Sequence, residues 1–148
     1  MIVLYKYCCR DIMITINEAF QKFLNEQETC LKPETFLDFE DVILLYEEFL
    51  EFSAEDFLSE EDRDLYTVRH EHDNKNYCDI FGPEYLTASG IKDFLDDYVV
   101  EVGGGKKFTG TAAKVLDKFF EWTQKKGYID EKFLEVNSEV LRKYKKRY

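Results

Sequence analysis

The sequence predicts an all-α protein, a bundle of five to six helices in a single domain. Three observations carry this. Apolar residues return at helical spacing in five segments. Residues that start and stop helices stand at the edges of those segments. Only "MIVLYKYCC" and "YVVEV" look strand-like, and the second keeps helical register. The 148 residues are 45% apolar, with 13 Phe and 10 Tyr, which suits one domain with a substantial core. No internal repeat or low-complexity linker divides it.

Residues 1–14 read as an N-terminal extension. The run "MIVLYKYCCRDI" is too short for a membrane span and lacks the layout of a secretory signal, while Met13 opens "MITINEAF" as a start residue would. The domain proper is 15–148. Its first helix runs from Thr15 to about Gln27, with Ile16, Ala19, Phe20, Phe23 and Leu24 on one face. Thr15 and Glu18 form a capping box. Pro33 opens the second helix near its first position. Phe36, Phe39, Ile43, Tyr46 and Leu50 make its stripe, and Val42, Leu45, Phe49 and Phe52 broaden it, so this helix is expected at the centre. Ser59 caps a third segment with acids in its first turn. Its thin stripe of Leu65, Tyr66 and Val68 predicts a short helix running into a loop. Thr87 caps "ASGIKDFLDDYVVEV", with Ile91, Phe94, Leu95, Tyr98, Val99 and Val102 on one face, and Gly103-Gly104-Gly105 ends it. "TAAKVLDKFFEWTQKKGY" follows with Ala112, Val115, Leu116, Phe119 and Trp122 or Thr123, and Gly127 stops it. Asp130 caps a basic C-terminal helix over about 130–147, packed through Phe133, Leu134, Val140, Leu141 and Tyr144.

Charge is the strongest compositional signal. The chain carries 31 acids and 20 bases, a net −11. Between Glu34 and Glu101 there are 21 acids and 4 bases, whereas Lys125 to Tyr148 holds 8 bases and 4 acids. Such asymmetry bears on partners rather than on fold. An acidic middle repels nucleic acid, and a basic tail attracts it. Cys8, Cys9, Cys30 and Cys78 form no C-x-x-C pair and no regular spacing, which points to a reducing cytoplasm with incidental thiols.

The stretch "VRHEHDNKNYCDIFGP" holds both histidines, His70 and His72, with Asp73 and Cys78 behind them. A zinc site needs three or four ligands. Here Lys75 intervenes, the spacing matches no zinc module, and in a helix the two imidazoles diverge. The segment therefore reads as a solvated connection, with Ile80 and Phe81 docked into the bundle and Gly82-Pro83 turning the chain. "GGGKK" follows a helix, and Lys107 stands where a phosphate loop has its hydroxyl residue, so it reads as a helix cap and a basic turn. Glu47, Glu48, Glu51, Asp96 and Asp97 fall opposite apolar stripes and read as solvated faces, since no Glu-x-x-His accompanies them. No Ser-His-Asp or Cys-His arrangement is present. The expectation is a protein without catalysis, metal or cofactor.

Three phrases carry a family resemblance: "AFQKFLNEQETCLKPETFLDFEDVILLYEEFL" from Ala19 to Leu50, "LTASGIKDFL" from Leu86 to Leu95, and "KVLDKFFEWTQKKGYI" from Lys114 to Ile129. In this order they resemble the N-terminal core-binding, or SAM-like, domain of phage integrases and tyrosine recombinases, over roughly Thr15 to Ile129. "CDIFGPE" also resembles a phrase of stand-alone prokaryotic proteins, a likeness that implies no function. The recombinase resemblance implies a SAM-like bundle carrying an acidic helical insertion over about 54–85. It also implies a clamp on duplex DNA through the second and last helices of that domain. Carried over, Thr35, Lys106, Lys107, Thr109, Thr111, Lys114 and Lys118 become candidate phosphate contacts. The charge map adds Lys125, Lys126, Arg142, Lys143, Lys145, Lys146 and Arg147. The chain departs from the family in lacking the catalytic domain, with no His-x-x-Arg, and in carrying Glu34, Asp38, Glu40 and Asp41 on its second helix.

The expected function is thus a non-catalytic DNA-associated accessory protein. The alternative is a protein-interaction module whose acidic surface meets a basic partner or a second copy of the chain, head to tail. No membrane partner is expected. Salt dependence separates DNA binding from the alternative, because phosphate neutralisation weakens steeply with salt.

Overall fold

A computed structural model describes residues 14–147, and every described secondary-structure element is helical. The extension over Met1–Ile12, with Cys8 and Cys9, lies outside the described residues. Ile14 is already buried, so among the described residues the core includes the residue before the expected first cap.

Helix α1 (Ile16–Cys30) starts where the capping box predicts. The Glu18 amide donates to the Thr15 hydroxyl at 3.1 Å, and the Thr15 amide donates to the Glu18 carboxylate at 3.2 Å. Its buried face is Ile16, Ala19, Phe20 and Phe23. Helix α2 (Pro33–Ser53) has Pro33 in its first turn, where a missing amide proton costs nothing. It buries Phe39, Val42, Ile43, Tyr46, Phe49 and Leu50. Tyr46, fully buried, stacks on Phe49 at 6.3 Å and meets the tilted ring of Phe94 at 5.0 Å.

Helix α3 (Glu60–Asp73) is longer than the sequence led us to expect. It runs through both histidines and ends on Asn74, whose left-handed φ of 58° closes it. The weak stripe was a correct sign of a different kind: no residue of α3 is buried. Its helicity rests on the Ser59 cap, the acidic first turn and the Arg69–Asp73 ion pair at 2.7 Å.

The segment after α3 belongs to the core. Helix α4 (Tyr77–Ile80) buries Tyr77 and Cys78, and Phe81 is buried behind them. The Phe81 carbonyl accepts from the Ile16 amide at 2.8 Å, and Asn17 donates to Asp79 at 3.2 Å. At Gly82 a Cβ would lie 2.9 Å from the Ile14 carbonyl oxygen, so the chain passes there only without a side chain.

The helix expected to run unbroken from Thr87 divides into α5 (Ala88–Asp93), a π-turn (Phe94–Tyr98) and α6 (Val99–Glu101). The turn carries Phe94 and Leu95, both buried in the core. Gly103, with φ of 88°, ends the unit. Helix α7 (Lys106–Lys125) begins earlier than its apolar stripe suggests, and α8 (Glu131–Arg147) is capped by Asp130, which accepts from the Phe133 amide at 2.8 Å. Counting α5, π-turn and α6 as one and leaving aside the one-turn α4, six helical units form the bundle among the described residues, in line with the five to six expected. Their common core centres on Phe119 of α7, against Phe20 at 5.1 Å and Phe23 at 5.3 Å. Among the described residues no helix is long and apolar enough to cross a membrane.

Candidate nucleic-acid interface

Helix α7 divides cleanly into two faces. Ala112, Val115, Leu116, Phe119 and Thr123 are buried. On the opposite side Lys107, Lys114, Lys118 and Lys125 are all exposed. Their spacing of seven, four and seven residues returns each to nearly the same angle at 3.6 residues per turn, so they form one ridge roughly 27 Å long. Glu121 is the acidic member of that ridge. Thr111 lies half-exposed on it, and its hydroxyl donates to the Lys107 carbonyl at 3.1 Å. None of the four lysines is in an ion pair among the described residues.

Neighbouring helices border the ridge. On one side Glu26 of α1 accepts from the Trp122 indole at 3.0 Å and pairs with Lys126 at 3.3 Å. On the other side Asp117 accepts from Ser138 at 3.0 Å and from Lys145 at 2.6 Å, which fixes one edge of α8 against α7. Arg142 is four residues after Ser138 and three before Lys145, so it belongs to that same edge and is exposed there.

The other sequence-predicted contact residues lie elsewhere in this geometry. Thr109 is buried and its hydroxyl donates to the Gly105 carbonyl at 3.2 Å, so it faces the core and not a ligand. Lys145 and Lys126 are committed to Asp117 and Glu26. Lys106 is exposed but lines a cleft shared with Asp96, which also accepts from the Tyr144 hydroxyl at 2.7 Å. Thr35 is exposed in the first turn of α2, between Glu34 and Asp38, apart from the lysine ridge. Lys143 is exposed and lies off the edge that holds Ser138, Arg142 and Lys145. Lys146 and Arg147 belong to α8, and their side chains lie outside the described residues. The coherent set is Lys107, Thr111, Lys114, Lys118, Lys125 and Arg142.

The histidine stretch is built differently from the connection expected there. His70 and His72 both sit in the last turn of α3, where a helix C-terminus favours positive charge. His70 packs on Tyr66 at 5.3 Å, and its Nδ1 lies 2.9 Å from the Lys75 carbonyl, closing the helix. Among the described residues no three His, Cys, Asp or Glu side chains stand close enough to hold one ion. Burial, then the charge and hydrogen bond of Glu51, push the Cys78 thiol far above its ordinary range, so it stays protonated.

Sequence reasoning missed Glu51. It is not part of a solvated face. Its carboxylate accepts from the amides of Tyr77 at 2.9 Å and Cys78 at 3.1 Å, capping α4 from another helix. Beside it, burial first and then the charges of Glu51 and Asp79 raise the Glu47 carboxyl above its ordinary 4.5. A raised value means that the fold favours the protonated form. Ionised Glu47 therefore costs stability at neutral pH, and the cost fades as pH falls through the raised value and is gone below 4.5. Glu47→Gln is expected to raise the thermal midpoint at pH 7, with the gain shrinking toward pH 4.5. Paired melts across that window check it, and a gain independent of pH would refute the cause.

No family model, curated protein or solved structure matches the chain.

Proposed function

We propose that the chain is a non-catalytic accessory protein that lays the α7 ridge along the phosphate backbone of duplex DNA. The observation behind this reading is the single-face alignment of Lys107, Lys114, Lys118 and Lys125, none in an ion pair among the described residues and with Glu121 the one acid on the ridge. Arg142 widens the contact on the α8 edge. The resemblance to recombinase core-binding domains supports it, because the matched phrase "KVLDKFFEWTQKKGYI" lies within α7 and the turn after it. Lysine supplies charge to phosphate without reading bases, so such binding is positional and not sequence-selective. The acids of α2 and α3 oppose any other approach and confine the duplex to this one face.

Fluorescence anisotropy of a labelled duplex, titrated across salt concentrations, tests the reading. Affinity is expected to fall steeply and log-linearly with salt. The triple variant Lys107→Gln, Lys114→Gln, Lys118→Gln is expected to weaken binding and to lower the salt slope by about three, one per lost phosphate contact, with helix content unchanged by circular dichroism. Absence of binding to the wild type at low salt, or an unchanged slope in the variant, would remove the ridge as the site.

A further inference from the structure

Helix α2 has a second apolar face that the fold does not use. Its core residues Phe39, Ile43, Tyr46 and Leu50 point one way. Leu37, Leu44 and Phe52, spaced two turns apart on the opposite side, are 55%, 58% and 72% exposed. Single exposed leucines need no explanation, but an aligned row over roughly 22 Å of helix does. The row continues sideways into a cleft of about 360 Å³ between α2 and the glycine turn, where Asp41 and Leu45 face Val102 and Phe108. Val102 is itself 50% exposed.

The charges on this helix identify what covers it. Glu34, Asp38, Glu40, Asp41, Glu47, Glu48 and Glu51 are its only charged residues, with no base among them. Asp41 and Glu48 fall between the exposed apolar residues, on the same stripe. A second copy pairing α2 with α2 would set these acids against each other. The other exposed large apolar residues among those described are Leu65 and Val68 on acidic α3, Val100 beside Glu101, and Val136 alone on α8, so a second copy offers no basic apolar face in return.

We propose that the outer face of α2 is a docking site for a basic amphipathic helix of another protein, with its apolar stripe on Leu37, Leu44 and Phe52 and its Lys or Arg flanks against Asp41 and Glu48. The mode is a helix laid along a groove, and acid–base complementarity sets its orientation and excludes acidic competitors. This face is separate from the lysine ridge of α7, so the proposal stands or falls without DNA binding.

The test uses the whole chain and a synthetic 21-residue helical peptide with Leu at core heptad positions and Lys elsewhere, a length of about three heptads. Isothermal titration is expected to show one-to-one binding. Leu44→Ser with Phe52→Ser, at two exposed positions, is expected to weaken it about tenfold or more, while Lys107→Gln with Lys114→Gln leaves it unchanged. The same peptide with Glu in place of Lys is expected not to bind. Failure of the Lys peptide to bind, equal binding by the Glu peptide, or equal binding by the double serine variant overturns the proposal. So does light scattering that shows a dimer dissolved by Phe52→Ser, which would make a second copy the occupant. So does release of the face to the peptide only after removal of residues 1–12, which would assign it to the chain's own N-terminal segment.

Discussion

Phe119→Ala is expected to be the most damaging single truncation in the bundle, at about 3–5 kcal/mol. Phe119 is fully buried and its ring meets four others: Phe20 at 5.1 Å, Phe23 at 5.3 Å, Phe120 at 5.4 Å and Trp122 at 6.1 Å. Two of these rings come from α1 and two from α7 itself, so the collapse that would refill the cavity must move two helices. Leucine at the same position keeps most of the volume and loses only the ring pairs, each about 0.5–1.5 kcal/mol. Urea unfolding of the wild type and both variants measures the series. Phe119→Leu falling close to Phe119→Ala would mean that ring geometry outweighs volume, and a loss below about 2 kcal/mol for alanine would mean that the core relaxes around the gap.

Glu51→Ala is expected to cost about 3 kcal/mol although Glu51 is a half-buried carboxylate on an acidic helix. Its loss strands the amides of Tyr77 and Cys78, two donors at the start of a one-turn helix whose side chains are buried. Hydrogen bonds to a charged acceptor contribute about 1.5–3 kcal/mol each, and a stranded buried donor costs comparably. Glu51→Gln retains one acceptor oxygen and should fall between the two. Hydrogen exchange locates the effect: the amides from Tyr77 to Phe81 should lose protection, followed by those at the start of α1, because Ile16 donates to Phe81. Loss of protection elsewhere and not there would refute the capping role.

Those two residues mark the limit of what the sequence alone discloses. Phe119 is legible, since it falls on an apolar stripe whose period is local. The Thr15–Glu18 box, Pro33, the Thr87 and Asp130 caps and the stop at Gly127 are legible for the same reason: each acts within about one turn of itself. Glu51 acts across 26 residues, and nothing in its neighbourhood distinguishes it from Glu48. The π-turn at Phe94 hides behind a stripe that fits a regular helix nearly as well. The lysine ridge was half legible. Its members were named, but Thr109 was counted with them although it shares the wheel sector of Ala112, Ala113 and Leu116, a signal present in the sequence. The ties of Lys126 to Glu26 and of Lys145 to Asp117 are tertiary and left no local trace. The unused face of α2 was barely legible: of the stripe that predicts a central helix only Phe52 is exposed, and the helix does pack centrally, against α1, α4 and α7, whereas Leu37 and Leu44 lie outside that stripe.

The anchoring of α1 has a consequence for the order in which this protein is made. Both of its ends are held by chain that does not exist when α1 is synthesised. Asp79 grips Asn17 from 62 residues downstream, and Trp122 reaches Glu26 from 96 downstream. At roughly 5–20 residues per second that second partner arrives about 5–20 s later. A helix of 15 residues is marginal alone. During that interval Phe20 and Phe23 have only Tyr46 and Phe39 of α2 to cover them, so the first of the described helices is also among the last to be secured, and the window for capture by a chaperone or by a neighbouring nascent chain closes only when α7 has emerged.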